Sequence, residues 1–366
     1  MSIRTAYTTC SEPQAAAAEL KLQLAGFAPR FLVYFAAPSY APAPLGKALK
    51  QAFDAEAIGC STAGEFAAGK IWNNSLSLMA FDAEHIEKVA VAQVANAHSS
   101  DDVRTAYSEL IAQVGSPAAE DHDRYIGLVL HDGMAIAEEK VMTTLSSLSN
   151  VPFVGGSAGH QGQDEKTYVY VGHEPSSGSA ALALLKLRGK YGILKTQSFD
   201  VTDQALSVTR ANEAERTVLE FNGKPAAQEY ARALGVTVSE APNSFMRHPL
   251  GLLVGDEPYV RSPQQLEGDG VRFYCNIKEG MDLRVLSARD IVAETKRDLT
   301  RAVQEFGPVA GLINFNCIQR TTELEQTGQA ENYAALFAPY PSIGFSTFGE
   351  SYVGHINQTS VILLFS

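Results

Sequence analysis

Apolar residues along this chain come in short unbroken runs: Phe31 to Ala37, Leu76 to Phe81, Tyr125 to His131, Ala180 to Leu187, Val309 to Cys317 and Val361 to Phe365. Runs without polar alternation read as strands buried on both faces, as in a sheet covered by helices. Helical segments are separate and clear. Ser11 and Gln14 have capping-box spacing, Pro13 suits a first turn, Ala15 to Leu24 favour helix and Gly26 stops it. A second helix follows Ser99, where Asp101 and Asp102 complement the N-terminal dipole and Val103, Tyr107, Leu110, Ile111 and Val114 form one stripe before Gly115. Both helices predict packing rather than chemistry.

One motif recurs at opposite ends of the chain: Gly59-Cys60-Ser61-Thr62-Ala63-Gly64-Glu65 and Gly344-Phe345-Ser346-Thr347-Phe348-Gly349-Glu350. A shorter relative, Gly155-Gly156-Ser157-Ala158-Gly159-His160, lacks one residue and carries His in place of Glu. The motif glycines fall 28, 30 and 35 residues after the apolar run before them starts, the length of a strand-helix-strand unit. The expected fold is therefore α/β, built of repeated strand-helix-strand units with Gly-Ser-Thr loops at the carboxyl ends of strands, where open sheets leave a crevice. Such loops can cradle a ligand with their glycines, hydroxyls and N–H groups. The same residues equally serve as turns in which Ser, Thr and Glu satisfy backbone donors.

Phe199 to Arg210 alternates as a strand, Val218 to Phe221 comes next, Asn222-Gly223 marks a turn, and Pro225 opens a helix through Leu234 that Gly235 stops. Ala241 to Asp269 reads as loop-rich, Val271 to Ile277 and Leu283 to Leu286 as strands, and Ala288 to Phe306 as a helix. No Gly/Ser linker separates the halves, so two packed domains are expected: an N-terminal helix over residues 1–25, one domain over 26–217 and a second over 218–366.

Composition narrows the function. Of 366 residues, 45% are apolar and 19% charged, an ordered globular usage, and the net charge of −12 disfavours nucleic acid and anionic membranes as partners. Four widely spaced cysteines indicate neither a disulfide framework nor a zinc module. The N-terminus has no signal-peptide pattern and no run approaches the ~20 residues that span a bilayer, so a cytoplasmic, soluble protein is expected.

Gly155-Gly156-Ser157-Ala158-Gly159 has the G-x-S-x-G spacing of a nucleophile elbow, but the sister loops carry an extra residue and break it, so scaffold is favoured over a serine nucleophile. No phosphate-loop or dinucleotide signature is present. Asp290 with Glu294, and Glu138 with Glu139, read as solvated helix faces, whereas Glu65 and Glu350 are placed to bind a ligand amine or to cap a helix. Cys317 reads as a small buried hydrophobe. Among the histidines, His85, His98 and His122 fall in polar stretches and His173 in a turn, and all four are set aside. His131, His160 and His355 lie at a strand end or in loops; His248 alone, in Phe245-Met246-Arg247-His248-Pro249-Leu250-Gly251, has an apolar and aromatic neighbourhood. Pro249 restrains His248 to extended backbone, and Arg247 and Arg261 can neutralise the carboxylates of a macrocycle. A histidine bonding a backbone carbonyl at a strand end is the equal alternative.

Several pieces, in order, resemble the FIST sensory family: residues 59–65, the stretch from Val218 to Tyr230 with its Asn-Gly-Lys-Pro-Ala core, Tyr259-Val260-Arg261-Ser262, Phe315-Asn316-Cys317-Ile318-Gln319-Arg320, and residues 344–350 followed by Asn357-Gln358-Thr359. The resemblance covers nearly the whole chain and implies ligand sensing in signal transduction rather than catalysis. A chain of this length without kinase or cyclase segments is similar to the stand-alone NosP-type nitric oxide sensing haemoproteins of that family. That likeness implies a haem b with His248 as axial iron ligand and Arg247 and Arg261 beside it. It also implies nitric oxide as the signal, a partner histidine kinase or cyclic-di-GMP enzyme in biofilm control, and room for a homodimer. The rival expectation is a haem-free module that closes over an amino acid or other metabolite through its Gly-Ser-Thr loops.

Overall fold

The apolar runs become central strands. In the computed structural model, which describes residues 2–117, 123–160 and 166–366, Phe31–Ala36, Tyr125–His131 and Gly311–Cys317 are buried along their whole length. Each pairs in parallel with a strand that carries a motif copy, Glu56–Ser61, Phe153–Ser157 and Ser342–Thr347 respectively. Each also pairs antiparallel with the closing apolar strand, Leu76–Phe81, Ala180–Leu187 or Thr359–Phe365. Helices Pro42–Ala52, Glu138–Leu148 and Ile318–Gln326 make the crossovers, so the mixed α/β class with repeated strand-helix-strand units holds, with eight α-helices among the described residues.

The repeat is longer than the apolar runs indicate. Each unit opens with a further strand and helix: Ile3–Thr8 with Pro13–Gln23, Ile86–Val94 with Ser100–Val114, and Tyr191–Gln197 with Ile291–Phe306. The opening strand lies beside the closing strand of its own unit in all three sheets. The first helix is capped by Glu12 rather than Ser11: the Glu12 carboxylate folds over the first turn and accepts from the N–H groups of Gln14 (3.1 Å) and Ala15 (2.7 Å).

Two features explain why the motif recurs. Its glycine lies opposite the first strand, with registers Tyr34↔Gly59, Val129↔Gly155 and Asn314↔Gly344. A Cβ there would come within 2.5 Å of the Tyr34 ring, 1.7 Å of the Val129 carbonyl oxygen and 2.2 Å of the Asn314 carbonyl oxygen. The motif serine then joins two repeats. Ser346 donates its N–H to Gly64 O (2.8 Å) and accepts from Ala63 N, Ser157 donates to Gly349 O (2.9 Å) and accepts from Phe348 N, and Ser61 accepts from Gly159 N (3.0 Å). In the shortened copy Tyr168 O takes the remaining role and accepts from Ser61 N (2.9 Å). These bonds close a ring of three. After the ring each hairpin enters another repeat's sheet: Glu65–Ala67 pairs with Ser342–Thr347, Val169–Val171 with Glu56–Ser61, and Glu350–Ser351 with Phe153–Ser157.

The chain forms two compact units, one of residues 1–196, 296–355 and 360–366, the other of residues 197–295 and 356–359. The second is thus an insertion into the third repeat, between its opening strand and helix. Its strands run in the order Glu257–Arg261, Leu250–Val254, Asp282–Ala288, Phe199–Asn212, Thr217–Phe221, Gly270–Phe273, Pro263–Glu267, with helix Ala226–Leu234 on the core of Leu206, Phe221, Tyr230, Leu250 and Val285. The Asn222-Gly223 turn forms with both residues at positive φ, as its sequence requires. The stretch Ala241 to Asp269, expected as loop, instead holds three strands. They are short and partly exposed, with turns at Gly255 and Gly268, so no apolar run announced them. The last long helix starts at Ile291 rather than Ala288, because the Asp290 carboxylate accepts from Ala293 N (2.7 Å).

Candidate functional site

In the inserted unit, His248 ends a turn, its N–H donating to Ser244 O at 2.7 Å, and Pro249 leads into Leu250–Val254. Tyr230, buried in the core, donates its hydroxyl to the His248 carbonyl at 2.6 Å. The imidazole points Nδ1 at the Leu286 carbonyl, 3.1 Å away. A carbonyl only accepts, so Nδ1 carries the proton and the lone pair is on Nε2, which has no hydrogen-bond partner among the described residues. Arg261 faces Leu250 across the strand pair; its Nη1 donates to Val260 O (3.2 Å) and its buried Nε is unpartnered. Arg247 is exposed, and its carbonyl accepts from Ala288 N at 2.9 Å. The three residues therefore gather at one end of one sheet. Among the described residues no group of three His, Cys, Asp or Glu side chains could hold a bare metal ion.

In the threefold unit the motif polar groups are turned inward. The Thr62 hydroxyl bonds the Glu65 carboxyl, whose other oxygen accepts from Ser75 N (3.1 Å) and Ser75 Oγ (2.6 Å); Thr347 bonds Glu350 in the same way. Burial pushes the Glu65 carboxyl up to about 7, against the pull of those hydrogen bonds. Ser157 is buried and donates to Glu138 Oε1 at 3.1 Å, while the neighbouring His131 ring contacts Ser351 Oγ at 3.0 Å. Glu138, expected on a solvated face, is buried because it meets this hydroxyl.

The three crevices at the carboxyl ends of the first strands differ. The residue opposite the motif serine is Ala36, His131 and Asn316 in turn. In the third repeat the helix begins at once, and buried Arg320 donates Nε to Asn316 Oδ1 (3.0 Å) over the Tyr333 ring, while Thr321 bonds Ser346 Oγ (2.7 Å). In the second, Asp132 fills the space and accepts from Met134 N, Gly178 N and the Thr167 hydroxyl. In the first, the helix waits until Pro42, and a cavity of about 490 Å³ opens among Ser39, Tyr40, Ser61, Lys166, Tyr168 and Tyr170. Nothing in the local sequence marks Lys166 or these tyrosines except the small Ala36-Ala37 pair before a delayed helix.

The set-aside histidines divide. His98 is exposed as expected, and His122 lies outside the described residues. His85 and His173 are buried instead, against Phe81 and Phe365 and against Tyr34 respectively, and burial lowers each to about 4. The polar residues around them in sequence concealed aromatic neighbours brought by other strands. No helix among the described residues is long and apolar enough to cross a membrane.

A threefold α/β scaffold with an inserted unit, an imidazole with a free nitrogen and a separate tyrosine-lined cavity suit a protein that receives small molecules. The FIST N domain profile matches residues 30–224 and the FIST C domain profile residues 226–352, and the chain belongs to this family of sensory domains. It is also similar to the uncharacterized protein MJ1623 of Methanocaldococcus jannaschii, 25% identical over 280 residues, which cover 68% of this chain and 53% of that protein. The chain thus spans about half the length of this curated relative. Among solved structures, cyanuric acid hydrolase from A. caulinodans aligns over 100% of this chain and 99% of its own at 8% identity, with a TM-score of 0.34 that is too low to carry an argument.

Proposed function

We propose that this sensory protein is a cytoplasmic, haem-dependent nitric oxide sensor that signals to a partner histidine kinase or cyclic-di-GMP enzyme. In this reading His248 would hold the iron of a haem b, and Arg247 and Arg261 would attend its carboxylates. The observation that carries the reading is the bond from His248 Nδ1 to the Leu286 carbonyl, which leaves the Nε2 lone pair available to iron. One imidazole suffices, because a porphyrin brings its own four donors. When bound, haem would supply an iron able to take up nitric oxide. The chain's part is to hold and then release. Leu286 fixes the ring, Tyr230 and Ser244 fix the His248 backbone, and Leu286 N to Pro249 O (2.8 Å) and Ala288 N to Arg247 O (2.9 Å) tie that segment to Asp282–Ala288. A weaker hold on His248 shifts the population of this turn, and a partner reads the difference.

The test is the absorption spectrum of protein expressed with a haem precursor. We expect a stoichiometric Soret band that nitric oxide shifts and that His248→Ala displaces, and a partner kinase whose autophosphorylation changes with the gas. A His248→Ala protein with the wild-type spectrum would remove the ligand assignment, and colourless protein that ignores added hemin would remove the haem.

A further inference from the structure

Ser262 is the corner of the inserted unit. The strands Glu257–Arg261 and Pro263–Glu267 are the two edges of its sheet, and this one residue joins them, so the sheet closes on itself there. Ser262 is buried, and its carbonyl accepts from Tyr274 N at 3.0 Å. Its hydroxyl donates to Gln358 Oε1 at 2.7 Å. The other end of the same amide is engaged as well: Gln358 Nε2 donates to the Met246 carbonyl at 2.7 Å. Met246 lies two residues before His248, and Ser262 follows Arg261 directly. One side chain therefore grips both segments that carry Arg247, His248 and Arg261.

The backbone of Gln358 is unusual. The residue is buried, and its φ of 51° is left-handed. A residue with a Cβ takes that conformation at a cost, whereas glycine takes it freely. A turn alone would be better served by glycine, so the glutamine is explained by what its amide does. Its place in the chain supplies a second side. Residues 356–359 belong to the inserted unit, and the chain then runs straight on in Thr359–Phe365, the closing strand of the third repeat, which pairs with Gly311–Cys317.

We propose that Gln358 is the positioning residue of the His248 turn and the link through which a change in that turn reaches the closing strand of the third repeat. A turn that moves takes the Met246 carbonyl with it. Gln358 then has one partner fewer to hold a disfavoured backbone, and relaxation at residue 358 alters the entry to the strand. The link rests on the proposed function only in taking the His248 turn as the place where a signal arrives; its two bonds need no haem.

The test is amide hydrogen exchange of the full chain without haem. Gln358→Glu keeps the size of the side chain but sets an acceptor against the Met246 carbonyl, and Ser262→Ala removes the other partner with little loss of volume. Each should speed exchange at residues 244–248 and at the start of Thr359–Phe365 about tenfold or more, the worth of one buried hydrogen bond, and leave helix Ala226–Leu234 unchanged. His248→Ala should speed exchange at the start of that strand in the wild-type background and add nothing in Gln358→Glu or Ser262→Ala. Unaltered exchange at residues 244–248 in both variants, equal acceleration in helix Ala226–Leu234, or an effect of His248→Ala that is the same in every background would each overturn the proposal. A hemin titration separates it from the haem reading: the expected exchange pattern in a chain that binds no hemin supports the link alone, and unaltered exchange in a chain that binds hemin through His248 removes the link alone.

Discussion

The first and third repeats carry the same seven-residue motif in the same register, with the same Thr-to-Glu bond, yet one ends in a cavity and the other in a packed polar cluster. The difference begins one residue past the shared part. After Ala36 the first repeat runs small residues and a proline-rich turn to a helix at Pro42, whereas after Asn316 the third begins its helix at Ile318 and drives Arg320 and Thr321 into the space. Duplication kept the contacts that hold the sheets together, the glycine packing and the serine ring. The segment after the first strand was free to diverge, and the three crevices differ there.

The contrast can be broken at its strongest point by Arg320→Ala. Buried, bonded to Asn316 and stacked on Tyr333, this side chain fills the third crevice, and its loss leaves a void and removes one of the two donors to Asn316 Oδ1, the Tyr333 hydroxyl being the other. We expect a destabilisation of about 4 kcal/mol in urea unfolding; a change near zero would show that the crevice collapses without it.

A smaller effect sharpens the comparison at the motif carboxyl. Burial raises Glu65 to about 7, above its unfolded value near 4.3, so its contribution is fully present below that unfolded value and is lost as pH rises through about 7. The wild type should lose about 3 kcal/mol more stability between roughly pH 4 and 8 than Glu65→Gln, whose side chain does not titrate. Parallel pH profiles of the two proteins would place the group among ordinary carboxylates.

The smallest effect belongs to the open crevice. Lys166→Gln should change stability by less than about 0.5 kcal/mol, because an exposed side chain with no partner among the described residues supports nothing. A melting temperature lowered as far as that of Arg320→Ala would mean that the first repeat is packed like the third.

Much of the fold is legible in the residues alone. Tyr125–His131, Leu76–Phe81 and Ala180–Leu187 form over the residues their apolar runs delimit, and the Asn222-Gly223 turn and the Gly235 helix stop come from local chemistry. The strands Leu250–Val254, Glu257–Arg261 and Pro263–Glu267 were illegible because half-exposed hairpins carry no continuous apolar signal. His173 and His85 misled for a related reason: their sequence neighbours are polar, but their ring neighbours arrive from distant strands. Of the candidate sites, His248 stood out through its apolar neighbours in sequence, while the tyrosine-lined cavity did not, since its walls come from segments more than a hundred residues apart.

The sequence by itself determined the α/β class, the threefold repeat and the family, since strand periodicity, turn residues and a recurring motif act over a few neighbouring positions. Only the tertiary structure decided that the motif serines link the repeats through a ring of backbone bonds, that each hairpin serves another repeat's sheet, that an insertion interrupts the third repeat, and that one crevice of three stays open. Those outcomes depend on which side chains from residues far apart in the chain reach the same space, and local sequence carries no record of that meeting.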